Sequence, residues 1–168
     1  MILKRLVIYL ILTCMMVSGA AAGSLAKPEG KPILVISGAI ENKNNGDTAE
    51  FDRDMLVAMG MQVTETANPW YNGRTRFEGV SLDKLMETVG AKGTTVTAVA
   101  LNDYVTKIPL EDFKKFKVIL AMKRDGSFIT VREKGPLFII YPYDSDLQLQ
   151  SQTYYTRSAW QVAKLIVE

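Results

Sequence analysis

Residues 68–90 read NPWYNGRTRFEGVSLDKLMETVG, a turn-rich segment that runs directly into an amphipathic one. The second half predicts a helix, because Ser81 is a favourable N-cap and apolar residues recur at helical spacing from Leu82 to Val89. Gly90 then supplies the stop signal expected just beyond a helix. The first element that the sequence predicts is therefore a short helix preceded by a turn of unusual composition.

The turn at residues 68–74 combines aromatic and cationic side chains with Asn, Pro and Gly. Trp70 and Arg74 are residue types that binding loops often present from a rigid scaffold. The alternative is that Trp70 plugs one end of the hydrophobic core, and composition alone favours that interpretation. The segment is a candidate binding loop with this alternative open.

Strand-like runs dominate on both sides of the predicted helix. Asp47 and Glu50 have capping-box spacing, which predicts a further helix running through Met59. Asp125-Gly126 predicts a hairpin turn. Together these signals predict a single α+β domain with mixed β-sheets and a few short helices. The predicted strands are 32–37, 61–66, 95–101, 118–123, 128–132, 137–141 and, as a strand or a short helix, 161–167.

The N-terminus has the composition of a secretion signal. Lys4 and Arg5 precede an apolar run over 6–17, and small residues around Ala22 provide a cleavage site. A membrane anchor is the alternative, but the run is short for a bilayer and ends in small residues rather than basic ones. We therefore expect an exported chain with no stable membrane anchor after cleavage. The predicted division is 1–22 signal peptide, 23–31 flexible lead-in and 32–168 a single domain.

The chain contains no histidine, and its one cysteine, Cys14, lies in the predicted leader. The mature protein would therefore lack thiolate nucleophiles, Ser–His–Asp triads and zinc sites of the usual ligand types. The whole chain has 20 basic and 18 acidic residues, and cleavage would remove Lys4 and Arg5 and so balance the two. No basic stripe remains, so we expect no nucleic-acid partner. This composition favours binding over catalysis.

Three further segments are too polar to be scaffold alone: LNDY at 101–104, REKGP at 132–136 and YYTRSAWQ at 154–161. Aromatic faces beside Arg and hydroxyl groups suit a flat, polar heterocycle. Ordinary explanations are an Asx turn for the first segment and a solvated charge cluster for the second. The candidate binding residues are Trp70, Arg74, Asn102, Tyr104, Arg132, Arg157, Ser158 and Trp160.

Taken in order along the chain, these motifs resemble one known family. They resemble the small, free-standing periplasmic proteins of the oxidoreductase molybdopterin-binding domain family, which have the sulfite oxidase fold. The resemblance runs from about residue 33 to the C-terminus and implies a mixed α+β domain whose loops hold a pterin. The motifs that carry it are Trp70 with Arg74, FEGVSL at 77–82, ALNDY at 100–104, IPL at 108–110, Arg132, KGPL at 134–137, YP at 141–142, and Tyr155, Arg157-Ser158 and Trp160-Gln161.

The chain departs from the catalytic members of that family at two motifs. Those members bind molybdenum through a Cys shortly before the F-x-G-V-x-L segment, whereas the stretch here is TET at 64–66. Molybdenum would therefore lose its one protein thiolate ligand. The larger enzymes also have a Lys-Ser-x-Lys-type segment near the pterin and its phosphate, and RSAW at 157–160 replaces the second cation with an aromatic residue. The resemblance thus implies a pterin without molybdenum, with molybdopterin as the alternative.

The resemblance also implies a role. It points to a branch that binds simple pterins in the periplasm and relays their presence to the periplasmic domain of a membrane signalling protein, a cyclic-di-GMP enzyme or a sensor kinase. In that case Trp160 stacks on the pterin while Arg157 reads its polar edge. Two alternatives stay open: a molybdopterin-dependent oxidoreductase or a subunit of one, and a ligand-free periplasmic interaction module.

Overall fold

Two five-stranded β-sheets organise the computed structural model, which describes residues 25–168. The predicted signal peptide, 1–22, lies outside the described residues. Within 25–168, no helix is both long and apolar enough to cross a membrane.

Ten strands and four short helices make up the regular structure of the described residues. The helices are α1 (Arg53–Ala58), α2 (Leu82–Val89), α3 (Glu111–Lys115) and α4 (Gln152–Arg157). The strands are β1 (Leu34–Gly38), β2 (Ala49–Phe51), β3 (Met61–Asn68), β4 (Tyr71–Ser81), β5 (Thr95–Ala100), β6 (Val105–Pro109), β7 (Ile119–Arg124), β8 (Ser127–Phe128), β9 (Phe138–Ile140) and β10 (Val162–Val167).

The first sheet has the order β2-β1-β10-β5-β6. Strand β10 lies at its centre, parallel to β1 and antiparallel to β5, so both ends of the domain meet in one sheet. The C-terminal segment is therefore a strand, which decides between the two alternatives that its sequence allowed. Its apolar residues at Val162, Leu165 and Val167 are buried.

The second sheet has the order β3-β4-β7-β8, and β9 also pairs with β7. Its β7 strand is buried on both faces, which explains the unbroken apolar run in its sequence. Leu120 and Met122 belong to the main core, whereas Ile119 and Ala121 belong to a smaller core that also contains Phe138. The predicted α+β class with mixed sheets and short helices is confirmed.

Helix α2 begins and ends where the sequence predicts. The hydroxyl of Ser81 accepts a hydrogen bond from the backbone N–H of Lys84 (3.3 Å), and Gly90 closes the helix in the left-handed conformation. In front of the helix, β4 pairs with β7 and the register shifts at Gly79, where an added Cβ would lie 2.1 Å from the carbonyl oxygen of Leu120. The FEGVSL motif is therefore a strand that requires glycine at its register shift and then enters a capped helix.

Two predicted elements are wrong in their bounds. The helix expected from Asp47 begins only at Arg53, because the 49–51 stretch pairs with β1 as β2 and buries Phe51. The cap is Asp52, whose carboxylate accepts from the N–H of Met55 (2.9 Å). The strand expected over 128–132 is only the two-residue β8, after which Val131–Glu133 forms a single 3-10 turn.

The sequence did not predict three elements that position the site, namely β4 along its full length, β6 and α4. The expected flexible lead-in also has contacts to the domain. Leu25 packs against the main core, and the carbonyl of Ala26 accepts from the side chain of Asn44 (2.8 Å). The N–H of Gly30 donates to the Asp52 carboxylate (2.8 Å). The lead-in thus contacts the domain through Leu25, Ala26 and Gly30.

Candidate functional site

An aromatic cleft of about 280 Å³ opens beside helix α4. Its walls come from the β3–β4 turn, the β5–β6 turn, α4 and the segment that follows α4. The lining residues are Pro69, Trp70, Tyr104, Gln152, Tyr155, Thr156, Ser158 and Trp160.

Trp70 lies at the centre of the cleft wall, on the tight turn between β3 and β4. The side-chain oxygen of Asn68 accepts from the backbone N–H of both Trp70 and Tyr71 (3.1 Å each), which fixes the turn. The indole meets Phe138 edge to face at 5.0 Å between ring centroids, and Trp160 at 6.1 Å. Trp70 also packs against both hydrophobic cores. It therefore contributes to core packing as well as to the wall of the cleft.

Tyr104 and Trp160 present parallel rings to this cleft. Their planes differ by 6° and their centroids are 6.5 Å apart. The Tyr104 hydroxyl donates to the carbonyl of Thr156 (2.8 Å), which ties the β5–β6 turn to α4, and the tyrosine remains 40% exposed. The ammonium group of Lys134 lies 4.6 Å from the Trp160 ring centroid. Flat faces in one orientation, still open to solvent, suit a planar ligand.

A second hollow of about 230 Å³ adjoins the cleft, and the two share Pro69 and Tyr155. Its walls are more polar and carry Asn68, Asp144 and Gln150. A ligand that spanned both spaces would have its flat face against aromatic rings and one edge among carboxamide and carboxylate groups. This arrangement fits a heterocycle with a polar edge.

Four of the eight predicted site residues line the cleft: Trp70, Tyr104, Ser158 and Trp160. Ser158 contributes little hydrogen-bonding capacity, because its buried hydroxyl donates to the carbonyl of Tyr154 (2.8 Å) and also bonds the hydroxyl of Tyr143. Burial raises the pKa of Tyr143, which remains a neutral phenol.

Three other predicted residues are not in the cleft lining. Arg74 forms an ion pair with Asp144 and donates to the carbonyl of Glu65 (2.8 Å), so its guanidinium already has partners within the protein. The Asn102 side chain accepts from the N–H of Tyr104 (3.2 Å), which is the Asx turn that the sequence allowed as an alternative. Arg132 is exposed on the 3-10 turn. These three candidate binding residues therefore do not belong to the cleft lining.

Arg157 is the most consequential correction. Its guanidinium Nη1 donates to the buried carboxylate of Asp112 (2.8 Å), and the hydroxyl of Tyr141 donates to the same oxygen (2.8 Å). Burial raises the pKa of Tyr141, and the charge of Asp112 raises it further. Arg157 therefore belongs to a buried polar cluster (Asp112, Tyr141 and Arg157) instead of the cleft.

The reason is the periodicity of α4, which the sequence did not predict. Positions 152, 155 and 156 fall on one helical face and line the cleft, whereas positions 154 and 157 fall on the other. Gln152, Tyr155 and Thr156 are consequently the site residues that were missed. Their i, i+3, i+4 spacing was visible in the sequence, but a helix of six residues carries too weak a pattern to identify it.

Comparison with known proteins gives the family. The model of the oxidoreductase molybdopterin binding domain matches residues 41–144. The chain belongs to this family. The sulfane dehydrogenase SoxCD from Paracoccus pantotrophus has a similar structure, with a TM-score of 0.62 at 18% identity. That similarity covers 80% of this chain but 37% of the SoxCD chain, and it shows the shared fold. A comparison with curated proteins finds no match.

The residues of this molybdopterin-binding-type domain do not fit a molybdenum centre. The stretch where catalytic members have their thiolate contains Thr66, which is fully buried. Its hydroxyl donates to the carbonyl of Ala67 (3.0 Å) and accepts from the N–H of Asp144 (3.1 Å), so no free soft ligand is available there. Among residues 25–168, no three His, Cys, Asp or Glu side chains form a group that could hold a metal ion. The aromatic cleft, in contrast, does fit the flat ring of a pterin.

Proposed function

We propose that this protein binds a pterin without molybdenum in the periplasm and relays its occupancy to the periplasmic domain of a membrane signalling protein, a cyclic-di-GMP enzyme or a sensor kinase. The observation that carries the binding part is the pair of parallel rings, Tyr104 and Trp160, in a cleft next to a polar hollow. The family match supports a pterin-type ligand.

Trp160 provides the stacking surface in this proposal. The indole already has the Lys134 ammonium against its ring and Phe138 edge-on at 6.2 Å, so its orientation is held before a ligand arrives. Stacking of an aromatic side chain on a base-like heterocycle contributes about 1–3 kcal/mol. Gln152, on the same wall, replaces Arg157 as the side chain that reads the polar edge, because a carboxamide can both donate and accept.

The charges around the cleft favour a bare pterin over a phosphate-bearing one. Among the described residues, no Lys or Arg lines the cleft or the hollow, and the nearby Lys134 ammonium lies against the Trp160 ring. Arg74 and Arg157 are held in ion pairs with Asp144 and Asp112, and Asp144 itself faces the hollow. A phosphate placed there would meet a carboxylate, whereas the amino group of a pterin would find an acceptor.

The export and relay parts of the proposal rest on the sequence. The leader pattern at 1–22 supports export, and the resemblance to small periplasmic pterin-binding proteins supports a signalling partner. Cell fractionation tests the first, and co-purification with a membrane protein from the periplasmic face tests the second.

The decisive experiment is to denature protein purified from its native compartment, extract small molecules and measure their fluorescence and mass. We expect about one pterin per chain, and we expect elemental analysis of the same sample to find no stoichiometric molybdenum or zinc. Protein without bound pterin that also fails to bind added 2-amino-4-hydroxypteridine would contradict the proposal. One molybdenum atom per chain would instead favour the oxidoreductase alternative.

A further inference from the structure

A groove of about 590 Å³ has no role in the pterin site. It lies alongside β3, between that strand and the segments that follow α3 and β9. Gln62, Val63, Thr64 and Glu65 of β3 form one wall. Lys115 and Lys117 stand on the opposite side.

Strand β3 is the edge strand of the second sheet. Alternate residues of such a strand direct their N–H and C=O groups toward the paired strand and away from it, so one outward residue identifies the others. The N–H of Ala67 donates to Asp144 (3.0 Å) and therefore points away from β4. Register with β4 is regular from Met61 to Ala67, so the backbone groups of Met61, Val63 and Glu65 point outward as well. The Glu65 carbonyl accepts from Arg74 (2.8 Å), which agrees with this assignment.

The remaining outward groups have no partner within residues 25–168: the N–H and C=O of Met61 and Val63, and the N–H of Glu65. Val63 is half exposed. Natural sheets usually protect such an edge with a proline, a bulge or a covering segment. From Met61 to Glu65, β3 has none of these, and the groove beside it leaves room for another strand.

The charges of the groove decide what kind of strand fits. Glu65 faces Arg74 at 3.6 Å, and Asp146 accepts from the backbone and side chain of Gln148 (2.9 and 2.6 Å). Glu65 is therefore paired with a cation of its own sheet, whereas Asp146 keeps its negative charge, because Gln148 is neutral. Lys115 and Lys117, in contrast, form no ion pair within the described part of the chain. With Glu65 paired to Arg74, two lysines face the single carboxylate of Asp146, so the groove has an excess of positive charge.

We propose that residues 61–65 of β3 accept an extended, acidic segment of a partner protein as an added strand, with Lys115 and Lys117 contacting its carboxylates. Main-chain hydrogen bonds would provide affinity and the lysines would provide selectivity. This inference goes beyond pterin binding and does not depend on it. The groove and the polar hollow are nevertheless adjacent, since β3 lines the groove at Glu65 and the hollow at Ala67.

The test uses a defined probe, an acetylated and amidated eight-residue peptide of alternating Val and Glu, titrated into the full mature protein. We expect the amide signals of Val63 and Glu65 to shift in NMR spectra and their proton exchange to slow. Val63→Pro removes one outward N–H without touching the bonds to β4, and it should weaken binding at least tenfold. Lys117→Glu should also weaken binding, whereas Lys92→Glu, the same charge change outside the groove, should not.

Two controls keep the proposal testable if Val63→Pro fails to fold. A probe N-methylated at alternate residues should not bind the unchanged protein, because it cannot form the ladder. A probe with Lys in place of Glu should bind at least tenfold more weakly. Equal binding of either control probe overturns the proposal. Sedimentation that shows a dimer through β3 would also overturn it, because a second copy of this chain would then be the occupant.

Discussion

Helix α4 has one face on the aromatic cleft and the other on the buried polar cluster. Toward the cleft, Tyr155 and Thr156 lie beside the partly exposed rings of Tyr104 and Trp160. Toward the interior, Arg157 donates to Asp112, and Asp112 also accepts from Tyr141. Both faces carry aromatic and hydrogen-bonding groups. On the cleft face the Gln152 amide donates to the Thr156 hydroxyl (3.3 Å), which donates to the carbonyl of Gln152 (2.7 Å), whereas only the interior face has a charged pair.

The difference shows which property marks a binding residue here. An Arg in a conspicuous motif indicates a ligand only if its charge is still available, and the charge of Arg157 is not. Trp160 has a cation and three aromatic neighbours, Trp70, Tyr104 and Phe138, yet it still lines an open cleft. We therefore expect the aromatic residues of the motif to bind the ligand and the arginine to stabilise the fold.

The largest expected effect is a loss of stability when the ion pair between Arg157 and Asp112 is removed. Arg157→Ala should lower the free energy of unfolding by about 3 kcal/mol, because the Asp112 carboxylate, 6% exposed, would lose its cation. Urea denaturation measures this change. Arg76→Ala, which removes an exposed ion pair to Glu78, should cost less than about 1 kcal/mol.

The same Arg157→Ala protein, kept at a temperature where it is folded, should bind a pterin nearly as well as the unchanged protein. A loss of binding with unchanged stability would reverse the assignment of the two faces. Arg157 would then be the ligand-reading residue that the sequence suggested.

The next effect concerns the open face. Trp160→Leu should weaken pterin binding by about 1–3 kcal/mol, or roughly five- to 150-fold, because it removes the stacking surface. Fluorescence titration measures the affinity, and a melting curve on the same sample reports stability. A variant that unfolds, or one that binds normally, would show that Trp160 is core.

Trp70→Leu is the matched comparison. Trp70 contacts Phe138, Tyr143, Tyr155 and Trp160 edge to face, so its loss should cost stability as a large-to-small core change does, by about 3 kcal/mol. The two tryptophans would thus separate a binding role from a packing role.

The contrast between these residues explains what the sequence could predict. Helix α2 was predictable because its cap, apolar face and terminal Gly90 are all local signals that agree. Helix α1 was predicted to begin too early. Pairing of β2 with β1 buries Phe51, and this stabilises the strand more than a cap at Asp47 would stabilise a helix there. That stabilisation depends on a strand distant in sequence, which no local pattern contains.

The candidate site was predictable in its residue types but not in its geometry. Trp70 and Trp160 stood out because large aromatic residues in polar segments are unusual. Arg157 was assigned to the ligand because its partner, Asp112, lies 45 positions away along the chain. Long-range ion pairs of this kind leave no trace in a single sequence.

A smaller effect is expected at Lys134. Its ammonium lies 4.6 Å from the Trp160 ring centroid, and an exposed cation–π contact contributes about 0.5–1 kcal/mol. Lys134→Met should therefore weaken pterin binding about two- to fivefold if the lysine holds the indole in its stacking orientation. Added salt should reduce the difference between the two proteins. An unchanged affinity would mean that Trp70, Tyr104 and Phe138 orient the indole without the lysine.

The smallest effect is expected at Asp52, a carboxylate that does not line the cleft and whose hydrogen bonds are made within the protein. Asp52 accepts from the backbone N–H of Met55 (2.9 Å) and of Gly30 (2.8 Å), and these bonds lower its pKa below the usual value. The ionised form is therefore favoured in the folded state, so its contribution to stability is present above the unfolded pKa of about 3.9 and is lost as the pH falls through the lower, folded value. Asp52→Asn should melt at a lower temperature than the unchanged protein at pH 7, and the two melting temperatures should converge as the pH falls below about 4.

Pterin affinity should be the same in both proteins at pH 7, since Asp52, like Arg157, has its hydrogen-bond partners within the protein. A difference in melting temperature that persists at low pH would show that the side chain acts through packing and not through its charge.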